Sequence, residues 1–243
     1  MRHTNGTYLY CFSPLVMLVT FLIEIGFAFY VLWRYQLTVI TRLVVSILVF
    51  LGLFQATEFL LCGGAGLSGG VWSRLGYASI TMLPPLGLHL TYAIAGQKSR
   101  YLVPFAYLTA VGFISYCAFG IEAISGHTCY ANYAVFSTAT GLTWLYAFYY
   151  YGWLIIGLLT AYEFGKASKK HIKNALYALS IGYMSFIVPT TAFNLIDPST
   201  IAGIPSIMCG FAVILAFILV GRVAPETVKL RNTNQPVRFR LRS

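Results

Sequence analysis

Three ionisable side chains lie within long apolar stretches of this sequence: Glu24, Glu58 and His89. A charge in the middle of a lipid-crossing segment costs at least about 2.5 kcal/mol, so each residue is a candidate functional group. Glu24 and His89 fall at similar depths, and a carboxylate facing an imidazole would form a proton-linked polar lock, because histidine titrates near neutral pH. The alternative is that each group satisfies a neighbour inside the protein.

A second polar group is predicted in the outer half of the protein, around Glu58. Thr191 and Asn194 from the sixth apolar segment reach the same half, as do Tyr77 from the third and Ser206 from the seventh. If these side chains face one another, they line a ligand site open to the outside, with Glu58 and Asn194 contacting the ligand. The alternative is that these polar side chains pack the helices against one another, as serine and threonine often do in membranes.

Prolines interrupt three of the apolar segments, at Pro84, Pro85, Pro189 and Pro205. Each proline removes a backbone amide and frees a carbonyl, which a neighbouring helix or a water must satisfy. We therefore predict hinges at these positions. Kinked helices also occur in bundles that have no hinge.

Cys62 and Cys129 fall at the outer ends of apolar segments or in an outer loop, with Cys11 and Cys117 near the same face. A disulfide there fits an oxidising compartment. Cys62 with Cys129 is the first choice, although spacing alone does not fix the partner. Cys209 lies within an apolar segment and is expected to be reduced.

The sequence gives no sign of a metal, haem or other cofactor. Its four histidines are scattered over both faces and the middle, and there is no HExxH motif or paired-cysteine pattern. The GxSxG nucleophile elbow is also missing, so no enzyme activity is expected, and an intramembrane enzyme is the last of the alternatives.

The composition decides the class of protein. Apolar residues of the set AVILMFWYC make up 58% of the 243 residues, and charged residues only 9%, against about 25% in soluble domains. A water-soluble enzyme, a disordered chain and a disulfide-rich secreted module are therefore excluded. At about 20 residues per span, the chain has room for six or seven membrane helices.

Seven apolar segments predict an all-α membrane protein, a bundle of seven transmembrane helices that occupies residues 1–222. The segments cover 11–33, 43–62, 75–95, 101–119, 137–160, 175–196 and 201–220. Residues 223–243 are expected to form a basic tail that is disordered on anionic headgroups, or alternatively a docking arm for a cytosolic partner.

The basic residues predict the orientation. Of the 16 lysines and arginines, all but Arg2 and Arg74 fall in the three predicted inner loops or in the tail. The positive-inside rule then places the amino terminus outside and the carboxyl terminus in the cytoplasm, in a plasma membrane with an anionic inner leaflet. The same rule explains the net charge of +10 without nucleic acid.

Residues 71–77 (VWSRLGY), 82–86 (MLPPL) and 93–96 (AIAG) form a recognisable series. It resembles the second-to-third helix region of the bacterial seven-helix sensor domain found at the amino end of some histidine kinases. Lys98 and Arg100 match the basic residues that follow the third helix in that family, and Glu58 falls where the family often has an acidic residue. Residues 204–222 resemble the family's last helix.

The resemblance implies a sensory role, but the chain ends about 20 residues after the last segment. A signalling domain would then have to be a separate protein. We expect a sensory or accessory membrane subunit that binds a small ligand or a proton in its outer half and relays helix movement to that partner. The alternatives are a small-solute or proton transporter, and a structural subunit of a larger membrane complex.

Overall fold

The computed structural model describes residues 14–63, 68–120, 124–129, 134–138, 140–196 and 203–231. The elements in chain order are α1 (Pro14–Arg34), α2 (Val39–Gly63), α3 (Gly69–Thr81), α4 (Leu83–Ala95), α5 (Leu102–Phe119), β1 (Ile124–Cys129), β2 (Ala134–Thr138), α6 (Thr140–Ala167), α7 (Lys170–Ile196), α8 (Ile204–Ile218), a π-helical turn (Leu219–Val223) and α9 (Ala224–Thr227).

Within the described residues, six helices are long and apolar enough to cross a membrane. They are α1, α2, α5, α6, α7 and the continuous helical stretch from α8 to α9. The chain is therefore a helical membrane protein with six to seven helices. The third predicted segment is helical too, but it is divided into α3 and α4, each of 13 residues.

The helices pack in a closed bundle. Helix α1 lies along α2, and α2 in turn contacts α3, α4 and α8. Helix α4 contacts α5, α6 and α7, and α8 packs against α7 before it returns to α1. Helices α2 and α4 therefore have the most neighbours and form the centre of the bundle.

The two ends of the bundle differ in charge. We call the end that carries the α1–α2 and α4–α5 links and residues 224–231 the basic end, and the opposite end, which carries β1 and β2, the hairpin end. Among the described basic residues, Arg74 is at the hairpin end and all the others lie at the basic end. This distribution agrees with the positive-inside pattern of the sequence.

The break between α3 and α4 follows from two consecutive prolines. Pro84 and Pro85 lie in the first turn of α4, where proline is tolerated, rather than inside a kinked helix. Because Pro85 has no N–H, the carbonyl of Thr81 has no helical partner. The hydroxyl of Tyr149 on α6 donates to that carbonyl at 2.7 Å. The Thr81 hydroxyl also lies 3.0 Å from that of Tyr146.

The other two prolines predicted as hinges lie at different positions within their helices. Pro189 lies inside α7, which remains helical from Lys170 to Ile196. Pro205 lies in the first turn of α8. A proline at the start of a helix breaks no helical hydrogen bond, so Pro205 does not interrupt α8, and a hinge there stays a prediction.

The hairpin end contains two short antiparallel strands, β1 and β2, that the sequence did not predict. The fifth predicted span began at residue 137, but β2 continues to Thr138 and α6 extends to Ala167. A short apolar run next to a helix has no periodicity that separates strand from helix, which explains the error.

Two contacts fasten the hairpin end. Cys129 at the end of β1 forms a disulfide with Cys62 at the end of α2, which is the pairing that the sequence favoured. Arg74 on α3 donates from Nη1 to the carbonyl of Ala118 at 2.6 Å. Since the last carbonyls of a helix have no partner within it, Arg74 caps α5.

At the basic end, the chain after α9 pairs with the α1–α2 link. Tyr35 and Leu230 form an antiparallel bridge. The Gln36 amide donates to the Lys229 carbonyl at 3.0 Å, and the Arg231 amide to the Arg34 carbonyl at 3.0 Å. The first part of the predicted tail is therefore attached to the bundle, and residues 232–243 lie outside the described residues.

We expect Tyr149→Phe to lower the free energy of unfolding by about 1–3 kcal/mol, because it leaves the buried Thr81 carbonyl without a donor. Tyr162→Phe is the matched control, since its side chain is 49% exposed at the basic end of the same helix. Reversible unfolding in mixed micelles measures both. If Tyr149→Phe loses no more unfolding free energy than the control, then Tyr149 of α6 does not satisfy the Thr81 carbonyl.

Candidate functional site

Glu24 and Glu58 lie on the buried faces of α1 and α2. The buried residues of α1 are spaced three or four apart, which is the spacing of one helix face, and Glu24 belongs to that series. They are Met17, Thr20, Glu24, Ala28 and Val31, and Tyr35 continues the series just after the helix ends. Glu58 occupies the equivalent face of α2. The two side chains are 0% and 1% exposed, so the fold directs both carboxyl groups into the interior.

Helix α8 completes the site, and we call Glu24, Glu58, Ser206 and Cys209 the carboxyl cluster. Ser206 is 2% exposed and hydrogen-bonds the Glu58 carboxyl group. Cys209 lies one turn further along α8, close enough to both carboxyl groups to interact with each electrostatically. The cluster therefore joins the three helices α1, α2 and α8.

The carboxyl groups are not satisfied by the described part of the chain. Neither oxygen of Glu24 has a hydrogen-bond partner there, and Oε1 of Glu58 has none either. The ion pair that the described residues form is between Glu163 and Lys166, at the surface of the basic end. Because burying an ionised carboxylate without a partner is very costly, each group needs a proton or a small cation.

A small cavity reaches the cluster at Cys209. The cavity that Cys209 lines together with Leu51, Tyr150 and Tyr183 has a volume of about 20 Å³. A site of this size holds about one water molecule. In this conformation the cavity therefore has room for a water or an ion but not for an organic ligand.

The predicted outer ligand site is only partly assembled. Ser206 contacts Glu58, as described above. Tyr77 is buried but packs its ring on Tyr146 of α6, with 4.7 Å between the ring centroids. Asn194 is half-buried on α7. Thr191 was wrongly assigned to the site, because its side chain is exposed and its hydroxyl donates to the Ile187 carbonyl at 2.8 Å.

Thr190, rather than Thr191, faces the interior. It is 0% exposed, and its hydroxyl has no hydrogen-bond partner among the described residues. The sequence contained a signal for this choice, since Thr190 continues the buried series Leu179, Tyr183 and Phe186 at helical spacing. Thr191 lies about 100° round the helix from that face.

The predicted lock between Glu24 and His89 is wrong. His89 on α4 is half-buried, and its Nδ1 lies 3.2 Å from the Tyr107 hydroxyl on α5. Glu24 lies instead where α1 meets α2 and α8. Similar depth predicted the pair, but depth does not fix which way each helix turns its side chain.

In the described ranges, no three His, Cys, Asp or Glu side chains are arranged to hold a metal ion. Comparisons with known proteins add no identity, since no family model, curated protein or solved structure matches the chain. Interpretation of the carboxyl cluster therefore rests on its geometry and chemistry.

We expect Glu24→Met to raise the free energy of unfolding by about 1–3 kcal/mol, because methionine has a similar size and removes an unpartnered buried carboxyl group. Glu163→Met is the matched control, since that carboxylate is 65% exposed and surface substitutions change stability by only about 0.5 kcal/mol. Unfolding in mixed micelles measures both variants. Destabilisation by Glu24→Met would mean that the native bundle does satisfy this carboxyl group.

Proposed function

We propose that this protein is a sensory or accessory membrane subunit whose bundle responds to the proton occupancy of Glu24 and Glu58. The observation that carries the proposal is the burial of two carboxyl groups with unpartnered oxygens at the junction of three helices. A structural role alone does not account for such groups, since apolar residues in their place would be more stable.

A proton fits the site better than a larger ligand. The cavity that Cys209 lines has a volume of about 20 Å³, which is too small for an organic molecule. Proton binding also requires no metal-ligand geometry. Loss of the proton would place a negative charge between α1, α2 and α8, where the surrounding side chains are mostly apolar. That charge would favour an arrangement in which the helices separate or admit water.

Among the described titratable groups, Cys209 of α8 is the one that approaches both carboxyl groups. The charged and imidazole side chains of the neighbouring helices α3 and α4 face elsewhere. Arg74 of α3 binds backbone carbonyls at the end of α5, and His89 of α4 faces Tyr107. A pH response that depends on Glu24 or Glu58 is therefore separable from one that depends on His89.

Helix α1 offers a route from the cluster to the basic end. It is continuous from Glu24 to Arg34, and the next residues pair with the chain after α9. A displacement of α1 would strain the hydrogen bonds that join Gln36 to Lys229 and Arg34 to Arg231. If the basic end faces the cytosol, a separate signalling partner could read this change there.

The sensor proposal is favoured over a transporter by the residues on the other side of the cluster. A transporter requires a polar path through the full depth of the bundle. The buried residues of α8 between Cys209 and the basic end are Ala212, Leu215 and Ala216, followed by Leu219. They form an apolar barrier. The resemblance to a bacterial sensor domain points in the same direction.

We expect amide hydrogen exchange in peptides that contain residues 34–36 or 228–231 to become faster as the pH rises, after correction for the intrinsic pH dependence of exchange. Deprotonated Glu24 and Glu58 should displace α1 and weaken its pairing with the terminal segment. Mass spectrometry of the protein in nanodiscs measures this exchange. The double variant Glu24→Gln, Glu58→Gln should lose the response.

Two controls accompany the experiment. Glu163→Gln and His89→Gln should both keep the response of the parent protein, because neither residue belongs to the cluster. A response that survives in the double variant, or that disappears in His89→Gln, would contradict the proposal.

A further inference from the structure

A second feature of the molecule is a groove at the basic end, between the start of α2 and the link from α4 to α5. We call it the basic-end groove. Its volume is about 630 Å³, within the range of about 300–1,000 Å³ that is usual for small-molecule sites. It is separate from the carboxyl cluster, and none of its lining residues belongs to that cluster.

The lining of the groove is divided by polarity. Lys98 and Gln97 lie at its mouth and are exposed, together with Thr38. Ile40 and Val103 line its apolar wall. A ligand with a polar head and an apolar chain matches this division.

The charge around the groove has one sign. None of the described residues that line it carries a carboxylate, and Lys98 contributes a positive charge directly. The two links beside it, residues 34–42 and 95–101, contain Arg34, Arg42 and Arg100 in addition and no acidic residue. Such a field attracts an anionic head group, and basic pockets between membrane helices are typical sites for anionic lipids.

Another cavity, between α7 and the end of the α8–α9 stretch, differs from the groove in the charge of its lining. It has a volume of about 390 Å³ and is lined by Arg222, but also by Glu226. The carboxylate offsets the arginine charge at that position. The basic-end groove is therefore the better site for an anion.

We propose that the basic-end groove binds one anionic phospholipid from the leaflet at that end of the bundle. Its phosphate lies at Lys98, and one acyl chain follows the wall formed by Ile40 and Val103. The bound lipid contacts both the α1–α2 link and the α4–α5 link. It would thereby tie together two links that form no described hydrogen bond with each other.

The test titrates the purified full chain in detergent with phosphatidylglycerol or phosphatidylcholine, and native mass spectrometry counts the bound lipids. One phosphatidylglycerol should bind more tightly than phosphatidylcholine. Lys98→Gln should weaken that binding about fivefold, the value expected for one basic residue at an anionic surface. Lys173→Gln is the control, because this exposed lysine lies outside the groove.

A second variant tests the groove without a change of charge. Ala93→Phe places a ring in the groove wall and should also reduce phosphatidylglycerol binding, while thermal unfolding confirms that the variant is folded. Equal affinity for the two lipids would overturn the proposal, as would equal effects of Lys98→Gln and Lys173→Gln. Displacement of the lipid by millimolar inorganic phosphate would also overturn it, since the groove would then be a site for free phosphate.

Discussion

The interior of a membrane protein offers no bulk water, so each polar group there needs a partner within the chain. Most of the described polar side chains obey this constraint locally. Ser73, Ser79 and Thr91 each donate a hydrogen bond to the carbonyl four residues earlier. At the break between α3 and α4, a residue distant in sequence provides the partner. Tyr149 donates the hydrogen bond to the Thr81 carbonyl that Pro85, which has no N–H, does not supply. The bundle can therefore carry consecutive prolines at its centre.

Among the exceptions, Glu24 and Glu58 are the two carboxyl groups, and the proposed function rests on them. Both occupy positions that the helix spacing assigns to the core, yet both oxygens of Glu24 and Oε1 of Glu58 have no hydrogen-bond partner among the described residues. A proton resolves the conflict without any further ligand. Because the two residues lie on α1 and α2 and both approach α8, a change in charge acts on three helices at once. The link that pairs with the terminal segment is continuous with two of these helices, α1 and α2.

Much of the fold could be predicted from the sequence, because continuous apolar runs specify helices and the positions of basic residues specify which ends lie together. The two buried acids could be identified because a carboxylate in such a run is costly wherever it points. Their neighbours were harder to identify. Whether Thr190 or Thr191 faces the interior, and whether Glu24 faces His89, depends on how each helix is rotated about its own axis. The depth of a residue in the membrane does not determine that rotation. Strand β2 was missed because a short apolar run gives no periodicity that separates strand from helix.

Infrared difference spectroscopy of the protein in lipid tests the central claim most directly, because the carbonyl stretch of a protonated carboxylic acid is distinct from the bands of a carboxylate. The parent protein should show carboxylic-acid absorption from the bundle interior. Glu24→Gln and Glu58→Gln should each remove part of it, whereas Glu163→Gln should remove none. If neither interior variant changes this absorption, Glu24 and Glu58 carry no proton, and the account is contradicted.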